Sequence, residues 1–160
     1  MTTSTLSHSP ATRVTLSEEV PDIYKAMLRL DTAVAGTALE RPLKELVRIR
    51  ASQVNGCAYC IDMHTLDARS IGETEQRIYA LSAWPEAPFF NARERAALAL
   101  TEAVTLVHDG HVPDEVYAAA AAEFDPAELS QLIWLIIVIN AWNRMGITAR
   151  LAAGEYDPSA

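Results

Sequence analysis

Glu45, Cys57, Cys60 and His64 have the side-chain types and the spacing that thiol redox chemistry requires. The two cysteines are the only ones in the chain and lie three residues apart, as Cys-Ala-Tyr-Cys. A disulfide between them closes almost no loop and adds little stability, so reversible chemistry is the better use of the pair. On a helix, this spacing sets two sulfurs one turn apart, where they form a strained, readily reduced bridge. Cys57 is expected in the first turn of its helix. Unpaired backbone N–H groups and the helix dipole there favour a thiolate, the reactive form. At about 100° per residue, Cys57, Cys60 and His64 share one helix face. An imidazole one turn beyond Cys60 can take its thiol proton and later return it.

Glu45 belongs to the preceding helix. Asn55-Gly56 tolerates left-handed backbone and ends that helix, so the two flanking helices can pair antiparallel. At ~1.5 Å per residue, Glu45 lies about 15 Å back from the turn and His64 about 10–12 Å past it. The expected relay runs from Glu45 to His64 to Cys60, with the carboxylate orienting and charging the imidazole.

The elements that must hold these residues read as helices throughout, because helical periods recur and strand-like alternation does not. The expectation is an all-α, single-domain bundle of about seven helices over residues 16–153. A flexible arm over 1–15 precedes it and a loose tail over 154–160 follows. Ser17 is expected to cap a helix with Pro21 in its first turn and an apolar stripe of Ile23, Met27, Leu30 and Val34. Pro42 opens the helix that carries Leu43, Leu46, Val47 and Val54. The cysteine helix ends near Gly72, a short helix spans 74–82, and a proline-containing loop covers 84–90. Asn91 with Glu94 forms a capping-box pattern for a long helix that stops by Gly110. Pro113 opens the next helix, and Asp125-Pro126-Ala127-Glu128 opens the last, which runs to about Ala149. Residues 132–139 are apolar nearly all round and need cover on several sides, from the core or from another subunit.

Composition narrows the class of partner. The chain has 160 residues, with 13 basic and 21 acidic side chains and a net charge of −8. An acidic surface repels phosphate backbones, so nucleic acid is not an expected partner. The longest apolar run, 132–139, is eight residues, against the roughly 20 of a membrane span. The Ser/Thr-rich start lacks the apolar core of a secretory signal. A cytoplasmic location, no membrane and reduced thiols are the expectation. No flavin, haem or nucleotide motif is present, so no cofactor is expected.

The spacing Glu-x11-Cys-x2-Cys-x3-His resembles the active-site signature of the alkylhydroperoxidase D-like, carboxymuconolactone decarboxylase family. The surrounding Asn-Gly-Cys-Ala-Tyr-Cys-Ile-Asp-Met-His and the later Asn140-Ala-Trp-Asn-Arg144 are also similar to its members, and the likeness covers about residues 20–150. The resemblance implies an all-α fold assembled as trimers or hexamers, and reduction of hydroperoxides by the cysteine pair. Cys60 would be the peroxidatic thiolate, Cys57 the resolving thiol, and Glu45 and His64 the proton carriers. It also implies an external dithiol as reductant, which in the family can be a lipoyl-bearing protein. Alkylhydroperoxidase D itself has a second histidine between the cysteines, where this chain has Tyr59.

Other readings stand beside this one. The pair could serve general thiol–disulfide exchange without peroxide, the protein could decarboxylate a lactone, or it could be a non-catalytic oligomeric protein. Structural zinc is a rival from another class, with Cys57, Cys60, His108 and His111 as its four ligands. Asn140, Trp142, Asn143 and Arg144 either close the floor of the site, bridge subunits or simply pack. Tyr59 either shapes the mouth of the pocket or packs.

Overall fold

Prolines and capping residues divide this chain into its helices. A computed structural model describes residues 11–159. Residues 1–10, most of the expected arm, and Ala160 lie outside the described residues. Among the described residues there are eight α-helices and no strand. They are α1 (Leu16–Glu19), α2 (Pro21–Ala35), α3 (Arg41–Asn55), α4 (Ala58–Ser70), α5 (Glu75–Ala80), α6 (Ala92–Thr105), α7 (Asp114–Glu123) and α8 (Pro126–Ala149), with a 3₁₀ turn at Leu81–Ala83. The all-α class expected from the sequence is the class observed.

The count exceeds the expected one because the first helix is broken in two. Ser17 lies inside α1 and caps nothing, since Thr15 holds the N-cap position without a side-chain hydrogen bond. Proline bars the residue before it from helical backbone. Val20 accordingly sits at φ −138° and ψ 67°, and Pro21 begins α2. The stripe expected on α2 is only half used. Val34 is buried and Met27 packs on the core, whereas Ile23 is 70% exposed and Leu30 faces outward.

The later boundaries follow their capping chemistry. Asn91 with Glu94, and Asp125 with Glu128, form reciprocal capping boxes at the starts of α6 and α8. Thr74 caps α5. Gly56 ends α3 with left-handed backbone, φ 73°, as Asn-Gly implies.

The centre is built from α3, α6 and α8. Leu132, Leu135, Ile136 and Val138 of α8 interlock with Val47 of α3 and with Ala97 and Leu100 of α6. A second cluster joins Leu46 and Ile49 of α3 to Leu98 of α6 and to Leu81 and Trp84. Burying one such aliphatic side chain contributes about 1.5–3 kcal/mol. By length and composition α8 passes the test for a membrane span, with 24 residues and a mean hydropathy of 1.4 over its most apolar window, half of which is buried inside the protein. Trp134 and Ile137 on its outer side are 50% and 43% exposed.

The ends of the described residues are held against α8 and α4. The Arg13 N–H donates to the Ala149 carbonyl at 2.9 Å. The Gly154 N–H donates to Asp62 Oδ2 at 2.8 Å, and the Tyr156 hydroxyl to Asp67 Oδ1 at 2.7 Å.

Candidate functional site

The turn at Gly56 aims the cysteines into the fold. Cys57 is the N-cap of α4, one position before the expected first turn, and Cys60 is the third helical residue. Their sulfurs lie 2.8 Å apart without a disulfide, and both residues are buried. The hydrogen bond from Cys60 brings the Cys57 thiol down to about 7. Burial opposes this, while the backbone amides of Cys60 and Tyr59 and the Asn143 side chain assist it. Cys60 moves the other way, pushed up by its hydrogen bond to Cys57 and by burial. Of the two, Cys57 is therefore the more readily ionised, with the helix N-terminus beside it favouring a thiolate, and Cys60 the one that holds its proton.

The acid and the imidazole meet across α3 and α4. Glu45 Oε2 is 2.9 Å from His64 Nδ1, and both groups are buried. Arg48 Nη1 donates to Glu45 Oε1 at 2.9 Å, and its Nη2 lies 3.8 Å from Asp31. Burial pushes the Glu45 carboxyl up, but the hydrogen bond and charge of His64, together with Arg48, hold it below its ordinary value. Asp67 Oδ2 stands 3.9 Å from the same imidazole nitrogen. With Nδ1 turned to the carboxylates, Nε2 is the nitrogen left for proton exchange. Among the described residues no hydrogen bond joins His64 to Cys60; the two instead border one cleft of about 190 Å³, walled by Tyr24, Leu28, Met63 and Trp142.

A polar network behind the sulfurs includes residues that sequence reasoning passed over. Asn55 Nδ2 donates to Asn140 Oδ1 at 3.0 Å and to Asn143 Oδ1 at 2.8 Å. Asn143 Nδ2 donates to Ser52 Oγ at 2.9 Å, and Asn140 Nδ2 to Thr105 Oγ1 at 3.0 Å. Asn140 and Asn143 are site candidates from the sequence; Ser52, Asn55, Arg48 and Thr105 are not, and Asn55 is read there only as part of the turn. A signal for three of these four existed. Glu45, Arg48, Ser52 and Asn55 recur at spacings of three, four and three, a polar stripe on a helix that is otherwise core. Gly146 completes the enclosure, because a Cβ there would stand 3.2 Å from Cys57 Sγ.

The four ligands of the zinc reading do not converge. Among the described residues, the one set of three or more ligating side chains within mutual reach is Glu45, His64 and Asp67. His108 and His111 are exposed in the turn after α6. A cation at Glu45, His64 and Asp67 would face the Arg48 guanidinium already bound to Glu45, which disfavours it. A larger cleft, about 400 Å³, lies between α7 and the start of α8, bordered by Tyr117, Phe124, Ile133 and Trp134 and by none of the four candidate residues.

Comparison with known proteins places this arrangement in a family. Residues 21–103 match the sequence model of the carboxymuconolactone decarboxylase family. The chain is 45% identical to the uncharacterized protein YdfG of Bacillus subtilis (strain 168), over 84% of this chain and 92% of that one. A crystal structure of a protein of unknown function from Agrobacterium tumefaciens, assigned provisionally to antioxidant defence as an AhpD, superposes with a TM-score of 0.88 at 34% identity, covering 91% of this chain and all of that one. The debrominase Bmp8, bound to 2,3,4-tribromopyrrole, shares the fold with a TM-score of 0.78 at 20% identity, over 86% of this chain and 74% of its own. The chain belongs to the carboxymuconolactone decarboxylase family and has the fold of its alkylhydroperoxidase D-like members.

Proposed function

We propose that this protein is a thiol-dependent hydroperoxide reductase with an antioxidant role, in which Cys57 and Cys60 cycle between dithiol and disulfide. The observation that carries the reading is a hydrogen-bonded cysteine pair at a helix start, one member of which borders the same cleft as a His64 ring held by Glu45.

The cycle runs in three balanced steps. With Cys57 ionised, the Cys60 proton passes to it, and the Cys60 thiolate attacks the O–O bond. Cys60 becomes a sulfenic acid, and the departing alkoxide takes a proton from His64 and leaves as alcohol. Cys57 then condenses with the sulfenic acid, forming the S–S bond and releasing water. An external dithiol reduces that bond by exchange and is itself oxidised to a disulfide. Glu45 acts through His64, orienting the ring and stabilising its charged form. Asn143 and Ser52 position the sulfurs, and no cofactor enters the scheme.

Lactone decarboxylation, which names the family, needs proton transfer but no dithiol, so the cysteine pair argues against it. General thiol–disulfide exchange without peroxide is the second reading, favoured by Tyr59 standing where alkylhydroperoxidase D has its second histidine. Steady-state turnover with hydrogen peroxide and an organic hydroperoxide, each supplied with dithiol, separates them. The peroxidase reading expects both thiols to be lost rapidly and regained with dithiol. Slow, incomplete loss of thiols overturns it. The exposed Trp134 and Ile137 suit a contact between subunits; a trimer or hexamer is what the family resemblance implies.

A further inference from the structure

The two sulfurs border different clefts. Cys60 and His64 form part of the wall of the cleft of about 190 Å³ described above. Cys57 borders a separate one of about 220 Å³ with Ala58, Gly146, Ile147 and Arg150. Tyr59 and Leu151 belong to the walls of both and stand between them. Cys57 is 1% exposed and Cys60 2%, so neither sulfur can be met by a flat surface.

We infer that the two half-reactions use opposite sides of the dithiol: hydroperoxide reaches Cys60 through the His64 cleft, and a slender thiol reductant reaches Cys57 through the cleft under Ile147. This rests on the reading of the protein as a thiol peroxidase. Cleavage of the O–O bond needs a proton donor for the departing alkoxide, and His64 borders only the Cys60 cleft. Reduction makes a different demand. A thiolate attacks a disulfide in line with the S–S bond, from the side away from the sulfur it displaces. Attack on Cys57 therefore comes from the side away from Cys60, and Cys57 has a cleft that Cys60 does not border.

The electron count closes. The reductant's two thiols lose their protons to solvent, from which His64 regains the one it gave to the alkoxide and the one it now gives to Cys60. The first thiolate forms an S–S bond to Cys57, breaking the Cys57–Cys60 bond, and Cys60 leaves as a thiolate that takes a proton from His64. The second thiol of the reductant, deprotonated, attacks its own sulfur in the mixed disulfide. Cys57 leaves as the thiolate that the helix N-terminus already stabilises, and the reductant departs as a cyclic disulfide. The reductant gives up two electrons and the protein regains its dithiol. The Cys57 cleft admits a small dithiol or one carried on a flexible arm, and excludes a dithiol set into a folded protein's surface.

Half-reactions measured separately by stopped-flow test this. Oxidation of the reduced protein is followed with cumene hydroperoxide, and reduction of the oxidised protein with dithiothreitol. Ile147→Trp and Ala58→Trp, at exposed positions beside Cys57, should each slow reduction at least tenfold and leave oxidation within twofold. Leu28→Trp should do the reverse. Unchanged melting temperatures exclude a folding defect, and two variants on the Cys57 side guard against the loss of one. Reduced thioredoxin should reduce the oxidised protein at least a hundredfold more slowly than dithiothreitol at equal dithiol concentration. A wild-type protein inert to hydroperoxide removes the peroxidase reading and this inference together. A wild-type protein that turns over, with Ile147→Trp and Leu28→Trp slowing both halves equally, or with thioredoxin matching dithiothreitol, overturns this inference alone.

Discussion

The two halves of α8 face different demands. The first half carries Leu132, Leu135 and Ile136 into the main core and leaves Trp134 and Ile137 outside, Trp134 in the wall of the larger cleft of about 400 Å³. The second half buries Asn140, Asn143 and Gly146 against the cysteine pair, where the clefts are about half that volume. Volume alone would choose the first half. Buried polar groups are costly unless they are bonded or used, so the end that keeps asparagines, an acid–imidazole pair and two cysteines out of water is the end at which we place the chemistry. The larger cleft has mostly aromatic and aliphatic walls.

The contrast can be broken or sharpened by substitution. The largest expected effect is at the sulfurs. Cys60→Ser should abolish hydroperoxide turnover, whereas Cys57→Ser should allow one turnover and leave a sulfenic acid that dimedone traps. Dimedone labelling of Cys60→Ser in place of Cys57→Ser would reverse the assigned roles.

Next come the proton carriers. His64→Gln should cost about 10²–10⁴-fold in turnover, with Glu45→Gln less severe because it acts through the ring. An unchanged pH–rate profile in His64→Gln would take that residue out of the mechanism. Glu45 also carries a stability signature. Its folded value lies below the ordinary 4.5, so its contribution is complete above that pH and is lost as pH falls through the folded value. Denaturant melts should show Glu45→Gln losing part of the wild-type decline in stability at acid pH.

Asn143→Ala should be milder and act on both properties. It strips partners from Asn55 and Ser52, at a cost of about 1–3 kcal/mol, and it removes one support of the Cys57 thiolate. Iodoacetamide labelling of the wild-type protein should rise with a midpoint at about 7, and in Asn143→Ala the midpoint should move upward. A midpoint that stays put would make the network purely structural. The smallest effect belongs to the other half of α8. Trp134→Ser should change monomer stability by no more than about 0.5 kcal/mol and lower the assembly state seen by light scattering. Loss of peroxide turnover per subunit in a folded Trp134→Ser would show that the larger cleft is part of the site after all.

The helical class was readable because apolar periods and caps are local. The capping boxes at Asn91 and Asp125, and the left-handed Gly56, each depend on a few adjacent residues. The first helix was misjudged at Ser17 because the local constraint at Val20-Pro21 outweighs a capping preference. The stripe on α2 was readable as a period but not as burial, since exposure depends on how much of the helix a neighbour covers. The cysteine–histidine stretch announced itself through spacing on one helix. The polar stripe of Arg48, Ser52 and Asn55 was present in the same helix as Glu45 and passed unnoticed, because a polar residue on a core helix is meaningful only once that helix is known to be buried.

By itself the sequence determined which side chains share a helix face, where helices stop, and that the cysteines and His64 lie a turn apart, because 3.6 residues per turn is a local rule. Tertiary structure alone decided that Glu45 meets His64 at 2.9 Å, that Asn143 reaches Ser52 across 91 positions, and that the sulfurs border separate clefts. Those outcomes depend on how α3, α4 and α8 rotate against one another. That rotation is chosen by the packing of the whole core, which no stretch of sequence encodes on its own.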